Sequence, residues 1–423
     1  MSLSNLRVNI TEGMNLNLIK TDKLKSNLIS FYIIMPLNRK DATKNALIPL
    51  VLKRGTKNHN TNLELERKLE EMYGSSMSIN INKKGERHVL RFTIESPKGI
   101  YVNDEEYFID AIKLLREIVY EPYLKNNFFS HKYVEQEKEN LKRIIEGKIN
   151  NKRDYAINRC IEEMCRNEKY SVYEYGYTED LDEINEENLY EHYRYILENF
   201  PIEIFYVGEF DEKLIDNIVN VFRINRRNVV EVPREKIASV IQTKNMVYED
   251  MDVNQGKLVI GYRTSLTYEE QLYSSAILAN YIFGGGPNSK LFRTVREKES
   301  LAYYIGSSMY KYKSLILIDA GIDVDNLEKT IEIIREQLDE MRNGIFTEEE
   351  IKIAKKSISS QMKSIVDSNY LISEYFLSRV ISNDNRTIDE IVEDIYKTKK
   401  KDITKASNTF YLDTIYFLGK KNY

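Results

Sequence analysis

The run Asn27–Met35, NLISFYIIM, is apolar at nearly every position and rich in Ile, Phe and Tyr, the pattern of a strand buried on both faces. Asp41 is placed to cap a helix over Ala42–Lys53 and Gly55 to stop it, but Pro49 falls inside, where proline removes a hydrogen bond and clashes with the preceding turn. A kinked or broken helix is therefore predicted. Thr61-Asn62-Leu63-Glu64 forms a capping box, and Leu65, Leu69 and Met72 continue at helical spacing to Gly74. SSMSININ and RHVLRFTIES alternate around a KKGE turn at Gly85, as two antiparallel strands do. An amphipathic helix over Asp104–Val119 stops at Pro122, and a long charged helical region covers Phe129–Cys165. A helix over Glu186–Asn199, a strand over Ile202–Val207 and a helix over Asp211–Arg223 close the half.

The stretch from Asn225 to Lys244 has a proline, mixed polarity and no period, and reads as a linker. Beyond it the same order recurs, so the chain carries an internal repeat. Lys257–Tyr262 answers the first strand, Tyr268–Phe283 the first helix, and Ser289–Lys298 the capping-box helix. YYIGSSMY and SLILIDAGID answer the hairpin, Asn326–Met341 the amphipathic helix, and LDTIYFLG from Leu412 the closing strand. Thr347-Glu348-Glu349-Glu350 is a further capping box. The division expected is an amino-terminal domain over 1–224, a linker over 225–244 and a carboxy-terminal domain over 245–423. Antiparallel strand pairs with helices grouped after them give an α+β class, two homologous domains in which helices cover one face of a mainly antiparallel sheet. Two such halves can face each other across a chamber, a common place for ligand sites.

Composition narrows the function. The 62 basic and 66 acidic residues are interspersed and leave a formal charge of -4, so there is no global electrostatic case for nucleic acid or an anionic membrane as partner. No apolar run approaches a bilayer span, and Met1–Lys20 lacks the order of a signal peptide, which makes the cytoplasm the expected location. Cys160 and Cys165, the only cysteines, suit inert thiols better than a disulfide or zinc knuckle. The 31 tyrosines lie among acids as often as bases and read as core and interface aromatics, not a stacking groove. Gly284–Lys290, GGGPNSK, lacks the second glycine and the Lys-Ser/Thr pair of a phosphate loop.

The densest chemistry lies in Phe283–Ser308. Ser289 can cap a helix whose buried face is Leu291, Phe292 and Val295, leaving Arg296 to point elsewhere near its end. Leu301–Ile305 then opens a strand, and Arg296 and Tyr303 can converge on one spot. Read alone, Arg296 is a solvated helix-end cation and Tyr303 a buried strand aromatic.

The string GGGPNSKLFRTVREKESLAYYIGS is similar to the carboxy-terminal signature of the pitrilysin/insulinase and mitochondrial-processing-peptidase family of inverted zinc peptidases. The resemblance covers essentially the whole chain, but only this stretch is specific. It implies paired α+β halves, with Arg296 and Tyr303 holding the backbone carbonyl of a peptide substrate. A fixed guanidinium and a phenol suit that role and the oxyanion that follows.

Active members of that family carry H-x-x-E-H on the first helix, two His for zinc and a Glu to activate water. Anchored on Gly55-Thr56, the ligand positions here are Ala46 and Leu50 and the general-base position is Pro49. None of the three can serve. Glu135, Glu137, Glu139 and Glu146 offer carboxylates near a third-ligand position, without a fixed register. The histidines, His59, His88, His131 and His192, show no metal-site spacing and read as structural.

The resemblance therefore implies no metal on this chain and zinc on a homologous H-x-x-E-H partner. The chain would be the non-catalytic, substrate-binding subunit of a heterodimeric zinc endopeptidase, inert alone. Peptide maturation and protein modification are the pathways such bacterial pairs suggest, and no residue chooses between them. The alternative is a degenerate homologue, with a homodimer as its assembly, acting as a peptide-binding or scaffolding protein.

Overall fold

The computed structural model describes residues 3–104, 107–238 and 245–420. Residues 105–106 of the helix expected from Asp104, and 239–244 of the expected linker, lie outside the described residues.

The Asn27–Met35 run sits inside a six-stranded sheet. Its strands are β1 (Ser4–Thr11), β2 (Met14–Lys20), β3 (Ser26–Pro36), β4 (Ser76–Lys84), β5 (Arg87–Pro97) and β6 (Ile202–Gly208). Their order is β1-β2-β6-β3-β5-β4, antiparallel throughout except for the β2/β6 pair. Successive side chains of a strand face opposite ways, and β3 is apolar in both directions. Ile29, Phe31, Ile33 and Met35 enter a large core shared with Leu47, Ile112 and Leu141. Leu28, Tyr32 and Ile34 enter a smaller one with Ile372, Phe376 and Leu377. Gly85 closes the β4–β5 turn at φ +60, where a side chain would be strained.

The β1–β2 hairpin has no counterpart in the sequence-based reading, because its polar positions hide it. Asn17 is fully buried and donates to Glu203 Oε2 at 2.7 Å, while Asn15 and Arg7 donate to Oε1 at 3.1 and 2.6 Å. Burial raises the Glu203 carboxyl above its ordinary range, against the pull of Arg7 and the two amides.

The second sheet contains β7 (Asn245–Asp250), β8 (Gly256–Arg263), β9 (Ala302–Tyr310), β10 (Leu315–Ile322) and β11 (Tyr411–Gly419). Its order, β9-β10-β8-β11-β7, repeats the first sheet with one strand fewer, and β11/β7 is the parallel pair. Leu258, Ile260, Ile316 and Ile318 face the larger core. Val259, Leu317 and Tyr416 face Ala156, Cys160, Ile161 and Met164, so both cysteines are buried free thiols.

The compact units are discontinuous in sequence. One comprises Met1–Glu146, Val172–Arg234 and Ser364–Asn383; the other comprises Gly147–Ser171, Glu235–Lys363 and Asp384–Tyr423. Each sheet therefore has most of its helices on one face and a single helix from the other half of the repeat on the opposite face. The expectation of helices on one face only is corrected in this respect. In the first unit the visiting helix is Asn369–Ser382. Tyr32 Oη lies 2.8 Å from Ser373 Oγ, Lys84 pairs with Glu374 at 2.7 Å, and the Arg91 guanidinium stacks 4.2 Å from the Tyr370 ring. In the second it is Lys152–Met164. Glu168, just beyond that helix, receives Arg263 at 2.7 Å and the fully buried Lys313 at 2.5 Å. Gly261 lets the helix approach: a Cβ there would overlap Met164 Sδ.

Two further expectations change. The helix Ala42–Leu52 runs through Pro49 unbroken, so the predicted break is absent. The charged region Phe129–Cys165 is two helices, His131–Gly147 and Lys152–Met164, parted by the turn Lys148–Asn150. The described part of the linker is tied down. Buried Arg226 donates to the carbonyls of Leu197, Gly13 and Glu12 at 3.1, 3.0 and 3.3 Å, and to that of Phe200. These carbonyls lie near the end of the helix Glu186–Asn199 and in the β1–β2 turn, where Gly13 O also accepts from Ile202 N at 2.8 Å, and one guanidinium reaches all four.

Candidate functional site

The Phe283–Ser308 stretch folds as a wide helical turn, a short helix and a strand. The helix Tyr273–Asn280 opens into a π-turn over Tyr281–Gly285. A Cβ on Gly284 would lie 2.7 Å from Ser307 Oγ and 2.9 Å from Leu291 Cδ1, so this glycine is where the strand β9 and the next helix come closest. Ser307 Oγ in turn donates to Asn280 Oδ1 at 2.8 Å. Ser289 begins the second helix, its carbonyl accepting from Arg293 N at 3.0 Å and its hydroxyl from Phe292 N at 3.4 Å. Leu291 and Val295 are fully buried, as the spacing predicts, whereas Phe292 is half-buried. The segment Phe292–Lys298 widens to π geometry, and Ser300 turns the chain into β9 at φ +52.

Arg296 and Tyr303 lie on either side of that turn. Arg296 is exposed, has no carboxylate partner among the described residues, and rests its guanidinium carbon 4.9 Å from the Phe292 ring centre. Tyr303 is 58% exposed and falls where the β9/β10 register shifts between Ala302 and Tyr304. A bulge of this kind re-aims the extra side chain. The Tyr303 hydroxyl donates to Asp323 Oδ1 at 3.3 Å. Tyr304, one residue on, instead lies under Arg153, its ring centre 4.8 Å from the guanidinium carbon. Among the described residues no hydrogen bond or ring contact joins Arg296 to Tyr303.

The three positions that the resemblance aligns with a zinc motif lie on Ala42–Leu52. Ala46 and Pro49 are buried and Leu50 is half-buried. Of the four candidate carboxylates, Glu135, Glu139 and Glu146 are exposed. Glu137 is buried, but its carboxylate is committed to Arg54 and to Asn140 Nδ2 at 2.9 Å. No cluster of three His, Cys, Asp or Glu suited to a metal occurs among the described residues. The donor set at these positions does not fit a zinc ion.

Two histidines that sequence spacing kept apart share a partner here. Asn45, next to the first lost ligand position, accepts from His192 Nε2 at 2.7 Å and donates to His88 Nδ1 at 3.2 Å. Accepting from Asn45 makes His88 a neutral imidazole, and burial pushes both His88 and His192 down to about 4. Lys83 and the other imidazole add to the shift at His88, while at His192 Asp41 opposes Lys44 and Lys40. Only the polarity of Asn45 on an otherwise apolar helix face signalled this bridge. His59 and His131 lie beside Glu117 and Glu186, at 3.2 and 3.1 Å.

The chain resembles known proteins along its length. A probable inactive metalloprotease of Bacillus subtilis, YmfF, is 37% identical over 96% of both chains. The chain belongs to the M16 peptidase family. The model of the family's "Peptidase M16 inactive domain" matches residues 183–358. A conserved protein of Enterococcus faecalis superposes with a TM-score of 0.89 at 26% identity, covering 99% of each chain. An M16 inactive domain from Pseudomonas fluorescens gives 0.80 at 15% identity, covering 100% of this chain and 99% of that one, a likeness of fold alone. Within the M16 family this chain is an inactive homologue.

Proposed function

We propose that the chain is the non-catalytic, substrate-binding subunit of a heterodimeric M16 zinc endopeptidase. A homologous partner bearing H-x-x-E-H holds the zinc, and this chain supplies Arg296 and Tyr303 to the peptide backbone. The observation that carries this reading is that both side chains are exposed beside one turn while the motif positions on Ala42–Leu52 have no zinc chemistry left. A permanent cation and a phenolic donor favour the negative charge that develops on a scissile carbonyl. They stabilise the transition state more than the substrate, which is what raises turnover. The cytoplasm is the compartment we assign, supported by two buried thiols left unpaired. Peptide maturation or protein modification is the class of process.

A second reading is a peptide-binding or scaffolding protein that no longer serves hydrolysis, as a homodimer. It is favoured by one observation: Tyr303 already spends its hydroxyl on Asp323. Co-expression with an H-x-x-E-H homologue from the same genome separates the two. Co-elution with peptide cleavage supports the split enzyme; a chain that self-associates and leaves the partner free supports the scaffold.

A further inference from the structure

In the first unit, where β2 and β6 end and β3 begins, the side chains leave a cleft of about 480 Å³. Its apolar wall is made by Ile100, Phe108, Tyr206 and Phe210. Its charged lining is Lys20, Lys98 and Lys213 against Glu209 and Asp211. The carboxylates are engaged. Glu209 pairs with the buried Lys98 at 3.2 Å, and Asp211 accepts from Leu214 N at 2.8 Å to cap the helix Glu212–Phe222. Lys20 has no carboxylate partner among the described residues, and its ammonium lies 6.0 Å from the Phe210 ring centre.

Gly208 lets Asn27 and Tyr206, two residues of the cleft lining, pack close against the backbone. A Cβ there would overlap Asn27 Oδ1 and lie 2.8 Å from Tyr206 Oη. Tyr206 donates to the Glu209 carbonyl at 2.8 Å, but Asn27 Oδ1 is buried and accepts no hydrogen bond. An acceptor left this way is less stable than one that is paired. The cleft thus combines an unsatisfied acceptor, a cation without a carboxylate and an aromatic wall. A ligand that answers all three has an N–H, an anionic group and an apolar side chain on one small frame.

We propose that this cleft binds the carboxy-terminal residue of a peptide, or an N-acylated amino acid of the same chemistry, with an apolar side chain. The α-carboxylate meets the Lys20 side of the cleft, the amide N–H donates to Asn27 Oδ1, and the side chain packs on Phe108, Tyr206 and Phe210. A pocket of this volume, with charged groups facing an apolar wall, suits a ligand of that size. The inference rests on the first unit alone and stands whether or not Arg296 and Tyr303 hold a substrate.

Calorimetric titration of the full chain with N-acetyl-phenylalanine, its carboxamide and 3-phenylpropionate tests it. The acid should bind about tenfold more tightly than the carboxamide, which lacks the charge, and phenylpropionate, which lacks the N–H, should also be weaker. Lys20→Glu, at an exposed position, should weaken the acid by about tenfold without lowering the melting temperature. Gly208→Ala should block binding. Ala-Ala-Phe binding more tightly than the acetylated residue assigns the peptide as ligand; equal affinities assign the acylated amino acid. Equal affinity for acid and carboxamide, no saturable binding at millimolar ligand, or an unchanged constant in Lys20→Glu overturns the proposal.

Discussion

Lowering the pH should destabilise the first unit through His88 and His192. Both imidazoles sit near 4 in the folded chain against an ordinary value of 6.5, chiefly because burial disfavours the charged form. A depressed histidine leaves the unfolded chain holding more protons between those two values, so its contribution is present above pH 6.5 and is lost as pH falls toward 4. At pH 5 the loss is about 2 kcal/mol for each ring, at roughly 1.4 kcal/mol per pH unit. Together the two could cost about 4 kcal/mol, an upper bound because they share Asn45 and a domain has only about 5–15 kcal/mol to lose. Urea unfolding at pH 7.5 and pH 5 measures the difference. His192→Gln removes one titrating ring while keeping a side-chain donor for Asn45, and should cut the pH-dependent loss by about half. Carboxylate titration is common to both proteins and cancels in the comparison. Equal losses in wild type and His192→Gln, or a wild type as stable at pH 5 as at pH 7.5, would refute the assignment of two neutral, buried rings.

Other substitutions probe the helices that each sheet receives. Glu168→Ala removes one charged partner of the buried Lys313 and one of Arg263, which keeps Asp413; it should destabilise the second unit by about 1.5–3 kcal/mol in denaturant titration. Gly261→Ala should lower stability by about 1–3 kcal/mol through overlap with Met164, and Met164→Ala in the same chain should return part of the loss. Glu137→Gln should cost about 2 kcal/mol by weakening the charge-assisted bond from Arg54, and elemental analysis should show no change in metal content.

Much of the fold is legible in the sequence where one physical signal acts alone. The β3 run, the Thr61 N-cap, the Thr347 capping box and the Phe283–Ser308 turn all form where their local chemistry points, although Glu64 reaches back to Asn60 N and not to Thr61 N. Tertiary context decided the rest. Pro49 stays inside a helix whose burial outweighs the lost hydrogen bond. The β1–β2 hairpin carries Asn17 as core because Glu203 arrives from a strand far along the chain. The visiting helices, Lys152–Met164 and Asn369–Ser382, have apolar residues whose partners lie in the other half of the repeat, which a local pattern cannot name. Arg296, Tyr303, Ala46, Pro49 and Leu50 stand out only through the family resemblance, because neither exposure nor helix position by itself gives them a role. The Asn45 bridge and the cleft beside Gly208 join residues with no shared spacing, so only the fold brings them together.

The most direct test uses a purified complex of this chain with an H-x-x-E-H homologue. Turnover of a peptide and bound zinc are measured with wild-type, Arg296→Ala and Tyr303→Phe versions of this chain. The account predicts stoichiometric zinc held by the partner and an intact complex in all three, with turnover lower by a factor of about ten or more in each variant, since one lost oxyanion donor is worth at least that. Stoichiometric zinc on this chain alone, or variants that turn over at the wild-type rate, would contradict it.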